Sequence, residues 1–197
     1  FKDVVVGWGV DSEKVHAIYN GIVLGDIYIE KENARQELRI EDDSYVIFSA
    51  GRLVPWKGFE TLIDVVRELN EVQDKYLLYI VGDGPDREKL TRYITETNMD
   101  RAVSLVGSLD ADTMKKYLRA SDVFVLNTLF ESFSFQTVEA MAAGVPIVTT
   151  SIGNLREIVD DGVDGLLVEP NNQPELISAI RRIESDNEFR KLLIENG

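Results

Sequence analysis

Residues 45–58 read Tyr-Val-Ile-Phe-Ser-Ala-Gly-Arg-Leu-Val-Pro-Trp-Lys-Gly, and residues 76–85 read Tyr-Leu-Leu-Tyr-Ile-Val-Gly-Asp-Gly-Pro. Each opens with a short apolar run and breaks at a glycine. Neither run alternates apolar with polar as a half-wet sheet does, so both read as strands covered on both faces, the habit of a parallel sheet. Further runs of this kind are Ala102–Val106, Val123–Leu126, Pro146–Thr150 and Leu166–Val168. The six runs start 31, 26, 21, 23 and 20 residues apart, room for one helix in each gap.

The gaps carry helix signals. In Phe59–Asn70, Leu62, Ile63, Val66 and Leu69 share one face. Asp86–Thr97 follows Pro85, and Pro174–Glu184 begins with a proline, a residue suited to the first helical turn. Asp110–Ala120 opens on a capping aspartate and turns Met114, Tyr117 and Leu118 inward. Ser134–Ala143 stops at Gly144. The alternation predicts an α/β fold, a Rossmann-like doubly wound parallel sheet with helices on both faces and one domain over 1–197. Lys14–Ile18 reads as an opening strand with Asn20-Gly21 as a turn, and Glu37–Ser44 as an acidic solvated loop.

Composition narrows the function. The chain has 197 residues, no cysteine and one histidine. Disulfide frameworks, thiolate metal sites and a cysteine nucleophile are excluded, and a multi-histidine metal site or Ser-His triad is disfavoured. His16 sits in an apolar run and reads as a packed or hydrogen-bonded residue rather than a catalytic one. Twenty-one basic against thirty-five acidic residues give a net charge of −14. That balance argues against nucleic acid or an anionic membrane surface as partner, while a small anion needs only a few placed cations. No apolar span is long enough to cross a membrane.

In open α/β sheets ligands sit beyond the carboxyl ends of the strands. After the first strand, Arg52 and Lys57 lie five residues apart between Gly51 and Gly58, a pattern suited to an anion. After the second, Gly82-Asp83-Gly84 either lets a ligand approach the backbone or makes a plain turn. It is not a dinucleotide fingerprint. After the fourth come Glu131, then Phe133, Ser134, Phe135, Gln136, Thr137 and Val138, then Glu139 inside a helix whose N-terminus favours anions. From Ser134 to Glu139 the helix rises about 7.5 Å, so the two glutamates do not form the close pair of a retaining hydrolase. Separate hydroxyl-binding roles suit them better, with an exposed Glu139 as the alternative. Asp110-Ala111-Asp112 has the look of a metal-binding pair but fits a helix cap followed by a first-turn acid.

Taken in order, these loops resemble the C-terminal, donor-binding domain of retaining GT-B glycosyltransferases of family 4. The resemblance is carried by Tyr19-Asn20-Gly21, Gly51-Arg52-Leu53 to Lys57-Gly58, Val81-Gly82-Asp83-Gly84-Pro85, Leu105-Val106-Gly107 and Ala120-Ser121-Asp122-Val123. It continues with Glu131 to Glu139 as the family's E-x7-E, Glu139 to Pro146, and Glu157 to Gly162. It implies that Arg52 and Lys57 hold the donor diphosphate, that Glu131 contacts the transferred sugar, and that Glu139 binds the ribose. It places Phe133, Ser134, Phe135, Gln136, Thr137 and Val138 at the sugar and phosphates. Val106, Gly107 and Leu109 would lie by the base, and Gly82 would line the cleft. Where the family often has Gly-Phe-Gly, this chain has Ser132-Phe133-Ser134, and Ser134 adds a Cβ where close backbone approach is expected.

The implied parent enzyme moves a hexosyl unit from a nucleotide-diphosphate sugar with retention, without metal or other cofactor, in the cytoplasm. An acceptor domain is expected before residue 1 and a returning helix after Gly197, so the isolated piece should be inactive. Membrane contact through that other half stays open. Alternatives are a non-catalytic nucleotide-binding module, a nucleotide-sugar epimerase, or a glycogen-synthase-like enzyme.

Overall fold

The computed structural model describes residues 2–16, 18, 20–22 and 29–197. Two helices precede the sheet, α1 (Lys2–Gly7) and α2 (Lys31–Leu38). Then β1 (Tyr45–Ala50), α3 (Phe59–Val72), β2 (Tyr76–Val81), α4 (Arg87–Glu96), β3 (Val103–Gly107), α5 (Ala111–Ala120), β4 (Val123–Leu126), α6 (Phe135–Ala142), β5 (Ile147–Thr150) and β6 (Leu166–Val168) alternate. Helices α7 (Gln173–Ser185) and α8 (Asn187–Asn196) close the chain.

The six strands form one sheet in the order β3-β2-β1-β4-β5-β6, every neighbouring pair parallel. This is the Rossmann-like doubly wound sheet expected from the runs. Two of the six strands start one residue later than their run, and the other four keep its limits.

Consecutive residues of β1 explain why the runs do not alternate. Ile47 enters a core built with Leu62, Ile63 and Val66 of α3, Leu90 of α4 and Leu176 and Ile180 of α7. Phe48 points the other way, into a core with Leu118 of α5, Ala140 of α6, Phe124 and Ile147. Both are almost fully buried, and each such side chain contributes roughly 1.5–3 kcal/mol. A third, smaller core seats Ala34 and Ile40 against Val46 and Ala120.

The chain ahead of β1 differs from its reading. Ser12–Lys14 is a 3-10 turn capped by Asp11, and Val15 and His16 join no strand. Ala17 and Tyr19 lie outside the described residues, and with them parts of the Lys14–Ile18 strand and the Tyr19-Asn20-Gly21 motif. His16 is exposed, not packed. Of the acidic stretch, Glu37 and Leu38 end α2 and Ile40 is buried. Buried Arg35 of α2 ties the stretch down, donating to the carbonyls of Asp42 and Ser44. Asp110 does cap α5, accepting from the Thr113 amide at 2.9 Å, as a cap reading of Asp110-Ala111-Asp112 requires.

The strand order reverses direction between β1 and β4. Crevices at such switch points are where open α/β sheets bind ligands. Register pairs Ile47 with Val123 and Phe48 with Phe124, so the loops leaving β1 and β4 emerge side by side.

Candidate functional site

The loop leaving β1 turns through a 3-10 helix, Pro55–Lys57, and ends on Gly58 in the left-handed region at φ 59°. This aims Lys57 back across the carboxyl end of the sheet. Its Nζ lies 2.5 Å from Oε2 of Glu131, which comes from the loop leaving β4. The two side chains are only 10% and 13% exposed, so the ion pair is largely screened from water. Two of the three residues expected at the diphosphate and the transferred sugar thus meet at the switch point. Arg52 is exposed and forms no ion pair among the described residues.

Three residues that sequence reasoning missed hold this geometry. Asn127, directly after β4 and buried, donates from Nδ2 to the Gly58 carbonyl at 3.0 Å and to Asn171 Oδ1 at 2.8 Å. Its Oδ1 accepts from the Asn171 amide. Thr128 Oγ1 donates to the Trp56 carbonyl at 3.1 Å, and the Leu129 amide reaches the same oxygen. The backbone is therefore gripped on both sides of Lys57. The available signal was a change from apolar to amide and hydroxyl residues, Val-Phe-Val-Leu-Asn-Thr, at the carboxyl end of a buried strand.

On the side where a Cβ would stand, these glycines meet the chain's own backbone. A Cβ on Gly82 would lie 1.9 Å from the Gly51 carbonyl oxygen, and one on Gly84 would lie 2.4 Å from that of Leu53. The chain's own backbone fills the space. The Gly82 amide also donates to the Gly107 carbonyl, which brings the loops leaving β1, β2 and β3 together. Val106 and Leu109 pack, half-buried, on the core under α5 and α6.

Beyond Glu131, Ser134 caps α6. Its buried Oγ accepts from the Thr137 amide at 3.2 Å and from Thr137 Oγ1 at 2.8 Å. The Ser134 side chain is thus turned into the protein, and its Cβ leaves the outer side of the turn clear. Ser134→Ala should cost about 1–2 kcal/mol, for it removes the cap and leaves the buried Thr137 hydroxyl short of an acceptor. Urea unfolding would measure it, and a loss under ~0.3 kcal/mol would contradict the cap. Phe133 and Phe135 stack edge to face, 4.9 Å between centroids, in front of this turn. Gln136 and Val138 are half-buried on the first turns. Further along α6, Glu139 is half-buried and its carboxylate has no hydrogen bond or ion pair among the described residues. Burial pushes its carboxyl above the usual range. No three acidic or histidine side chains gather as a metal site among the described residues.

The site therefore offers one buried cation held by a carboxylate, one exposed cation, a capped helix N-terminus and a second, unpartnered carboxylate. The cation pair lies at the switch point of a parallel sheet, Arg52 stands on the same β1 loop as Lys57, and Glu139 lies further along the helix that follows Glu131. Residues 30–197 match the family described as Glycosyl transferases group 1. The chain belongs to that family.

Members resemble it closely along its length. It is 34% identical over 201 residues to the uncharacterized glycosyltransferase MJ1607 of Methanocaldococcus jannaschii, covering 100% of this chain and 51% of that protein. It is 34% identical over 163 residues to the lipopolysaccharide core biosynthesis glycosyltransferase LpsE of Rhizobium meliloti, covering 83% and 46%. Among solved structures, Anabaena Alr3699/HepE in complex with UDP and glucose superposes with a TM-score of 0.85 at 27% identity, over 99% of this chain and 54% of that one. This glycosyltransferase-family chain thus spans about half the length of the relatives it matches, and its sheet corresponds to one Rossmann-like half of a GT-B fold. No helix among the described residues is long and apolar enough to cross a membrane.

Proposed function

We propose that this chain is the donor-binding half of a retaining GT-B glycosyltransferase of family 4 type, which transfers a hexosyl unit from a nucleotide-diphosphate sugar. The observation that carries the reading is the Lys57–Glu131 pair at the β1/β4 switch point, beside the N-terminus of α6. The UDP and glucose bound by the Anabaena relative support a nucleotide sugar as donor. In this reading the acceptor is held by the other half of the protein, and the isolated chain binds donor without turning it over.

The transfer breaks the bond between the sugar's anomeric carbon and the diphosphate oxygen, whose electron pair stays with the departing nucleotide, while an acceptor hydroxyl oxygen bonds to that carbon and its proton passes to the released diphosphate. Lys57 and Arg52 stabilise that growing charge, together with the amides at the start of α6. Glu131, released from Lys57 by the incoming phosphate, takes sugar hydroxyls, and Glu139 takes the ribose. Gly82, Val106, Gly107 and Leu109 wall the nucleotide end. Phe133 to Val138 face the sugar and phosphates.

Calorimetry with UDP and UDP-glucose tests this division. Arg52→Ala should weaken both ligands by about 1–3 kcal/mol, the loss of a charged hydrogen bond. Glu139→Ala should weaken both together, whereas Glu131→Ala should spare UDP relative to UDP-glucose. Equal losses for the two glutamates, or none, would reject their separate roles.

Glu139 also sets a pH dependence. Its carboxylate is the form that ribose hydroxyls donate to, and burial raises the range in which it ionises. UDP affinity should therefore fall as pH drops through that raised range, more steeply in the wild type than in Glu139→Gln. Stability has the opposite sign. A raised carboxyl favours the fold at low pH, and this contribution is lost as pH rises from the unfolded to the folded value.

A further inference from the structure

At the end of the sheet away from Lys57, a cavity of about 410 Å³ opens at the amino ends of β1, β4 and β5. Lys31, Arg119 and Arg190 line it, with Asp122, Glu184 and Tyr45.

Its charges are unusual for this chain. Asp122 is shared by Lys31 at 2.5 Å and Arg35 at 2.6 Å, and it also accepts from the Val46 amide. Glu184 is held by Lys75 at 2.5 Å and by the Tyr76 hydroxyl. Both acids are therefore already matched. Arg119 and Arg190 have no carboxylate partner within 4 Å among the described residues. Three cations thus line the cavity with two acids that Arg35 and Lys75, standing behind them, help to pair, in a chain where acidic residues outnumber basic ones thirty-five to twenty-one.

Helix capping accounts for part of this. Arg119 donates to the carbonyls of Ala143, ending α6, and Ile29, and Arg190 donates to those of Ile183 and Glu184 at the end of α7. A helix end carries only about half a charge, so capping leaves each guanidinium under-compensated.

Tyr45 supplies a second, independent sign. It is 8% exposed, and its hydroxyl is buried with no hydrogen-bond partner among the described residues. An unmatched buried hydroxyl costs free energy and calls for an acceptor. Burial, with Asp122 and Glu184 nearby, holds the hydroxyl protonated, so it is a donor. The rest of the wall is Ser121, Gly144 and the apolar side chains of Val145, Pro146 and Ile194, the last three suited to a short carbon chain.

We propose that this cavity binds a small phosphate-bearing anion, whose oxygens accept from Arg119, Arg190, Lys31 and the Tyr45 hydroxyl. The site is separate from the switch point and does not depend on the glycosyltransferase reading.

Amide NMR on the 197-residue chain tests it, with inorganic phosphate and glycerol 3-phosphate as probes. Signals of Tyr45, Asp122, Gly144 and Arg190 report this end, and those of Gly51, Lys57 and Gly82 report the other. Failure at one end is therefore distinct from failure at the other. Millimolar probe should shift the first group saturably, beyond what sodium chloride of equal ionic strength does. Arg190→Gln should weaken that binding at least tenfold. Tyr45→Phe should weaken it about fivefold without lowering the melting temperature, because the hydroxyl it removes has no partner to lose. The second variant keeps the test sharp if the first disturbs α8. Shifts that follow ionic strength alone would mean a cavity holding only water and would overturn the proposal. So would an affinity unchanged in both variants.

Discussion

Lys57→Ala should destabilise the chain by about 3 kcal/mol and remove most of its affinity for nucleoside diphosphates. The stability loss follows from what is left behind. Glu131 is 13% exposed, and without the ammonium 2.5 Å away its carboxylate is shielded from water and unmatched. Breaking a buried pair from one side costs roughly 3–5 kcal/mol, and the residual exposure of this pair places it at the lower end. The binding loss follows from the proposed role and is separable from the first. Lys57→Met combined with Glu131→Leu removes both charges and keeps the volume, so stability should return to within about 1 kcal/mol of wild type. Diphosphate binding should not return. Urea melts and calorimetry on the two variants decide the matter. A single variant that loses less than ~1 kcal/mol would show that solvent screens the pair, and a double variant that still binds UDP would remove Lys57 from the site.

Gly82→Ala should be worse for folding, with a cost of about 4 kcal/mol or no folded chain at all. The methyl group would sit 1.9 Å from the Gly51 carbonyl oxygen, which belongs to backbone and has no rotamer to escape into. The φ of 135° is itself outside what an L side chain adopts readily. Strain and overlap at one position fall in the rare class of very costly substitutions. Gly162→Ala is the control. Its φ is 73°, but an added Cβ would meet nothing within 4 Å, so only the backbone penalty of about 1 kcal/mol applies. Comparable losses at the two positions would mean that the β1 and β2 loops part easily.

These glycines mark the border between what the sequence displayed and what it concealed. The strands were legible because burial on both faces leaves an unmistakable apolar run, and Tyr45–Ala50 lies in the sheet with its limits unchanged. Helix α3 was legible because Leu62, Ile63, Val66 and Leu69 recur at helical spacing. Helix α2 was not, because its buried residues are Ala34 and Arg35, and an arginine anchored on carbonyls leaves no hydrophobic period. In α8 the buried residue is Leu193, too little for a stripe. His16 misled for the converse reason, since Val15 and Ile18 are apolar without entering a core. At the site, chain position located Lys57 and Glu131 but not their contact, which depends on strand order. The grip of Asn127 on Gly58 was hidden for the same reason, because the two are 69 residues apart in the chain.

Under the proposed function, the Lys57–Glu131 pair also bears on how fast a donor diphosphate arrives. A cation neutralised at 2.5 Å projects little field into solution, so the site does not advertise itself to distant anions. What a diphosphate meets from afar is the net −14 of the whole chain. Salt screens that repulsion beyond about 8 Å at physiological ionic strength, and closer in Arg52 and the α6 amides supply the attraction. Capture is therefore uphill at first and downhill only on contact. Added salt should speed the encounter, while weakening the complex once it has formed.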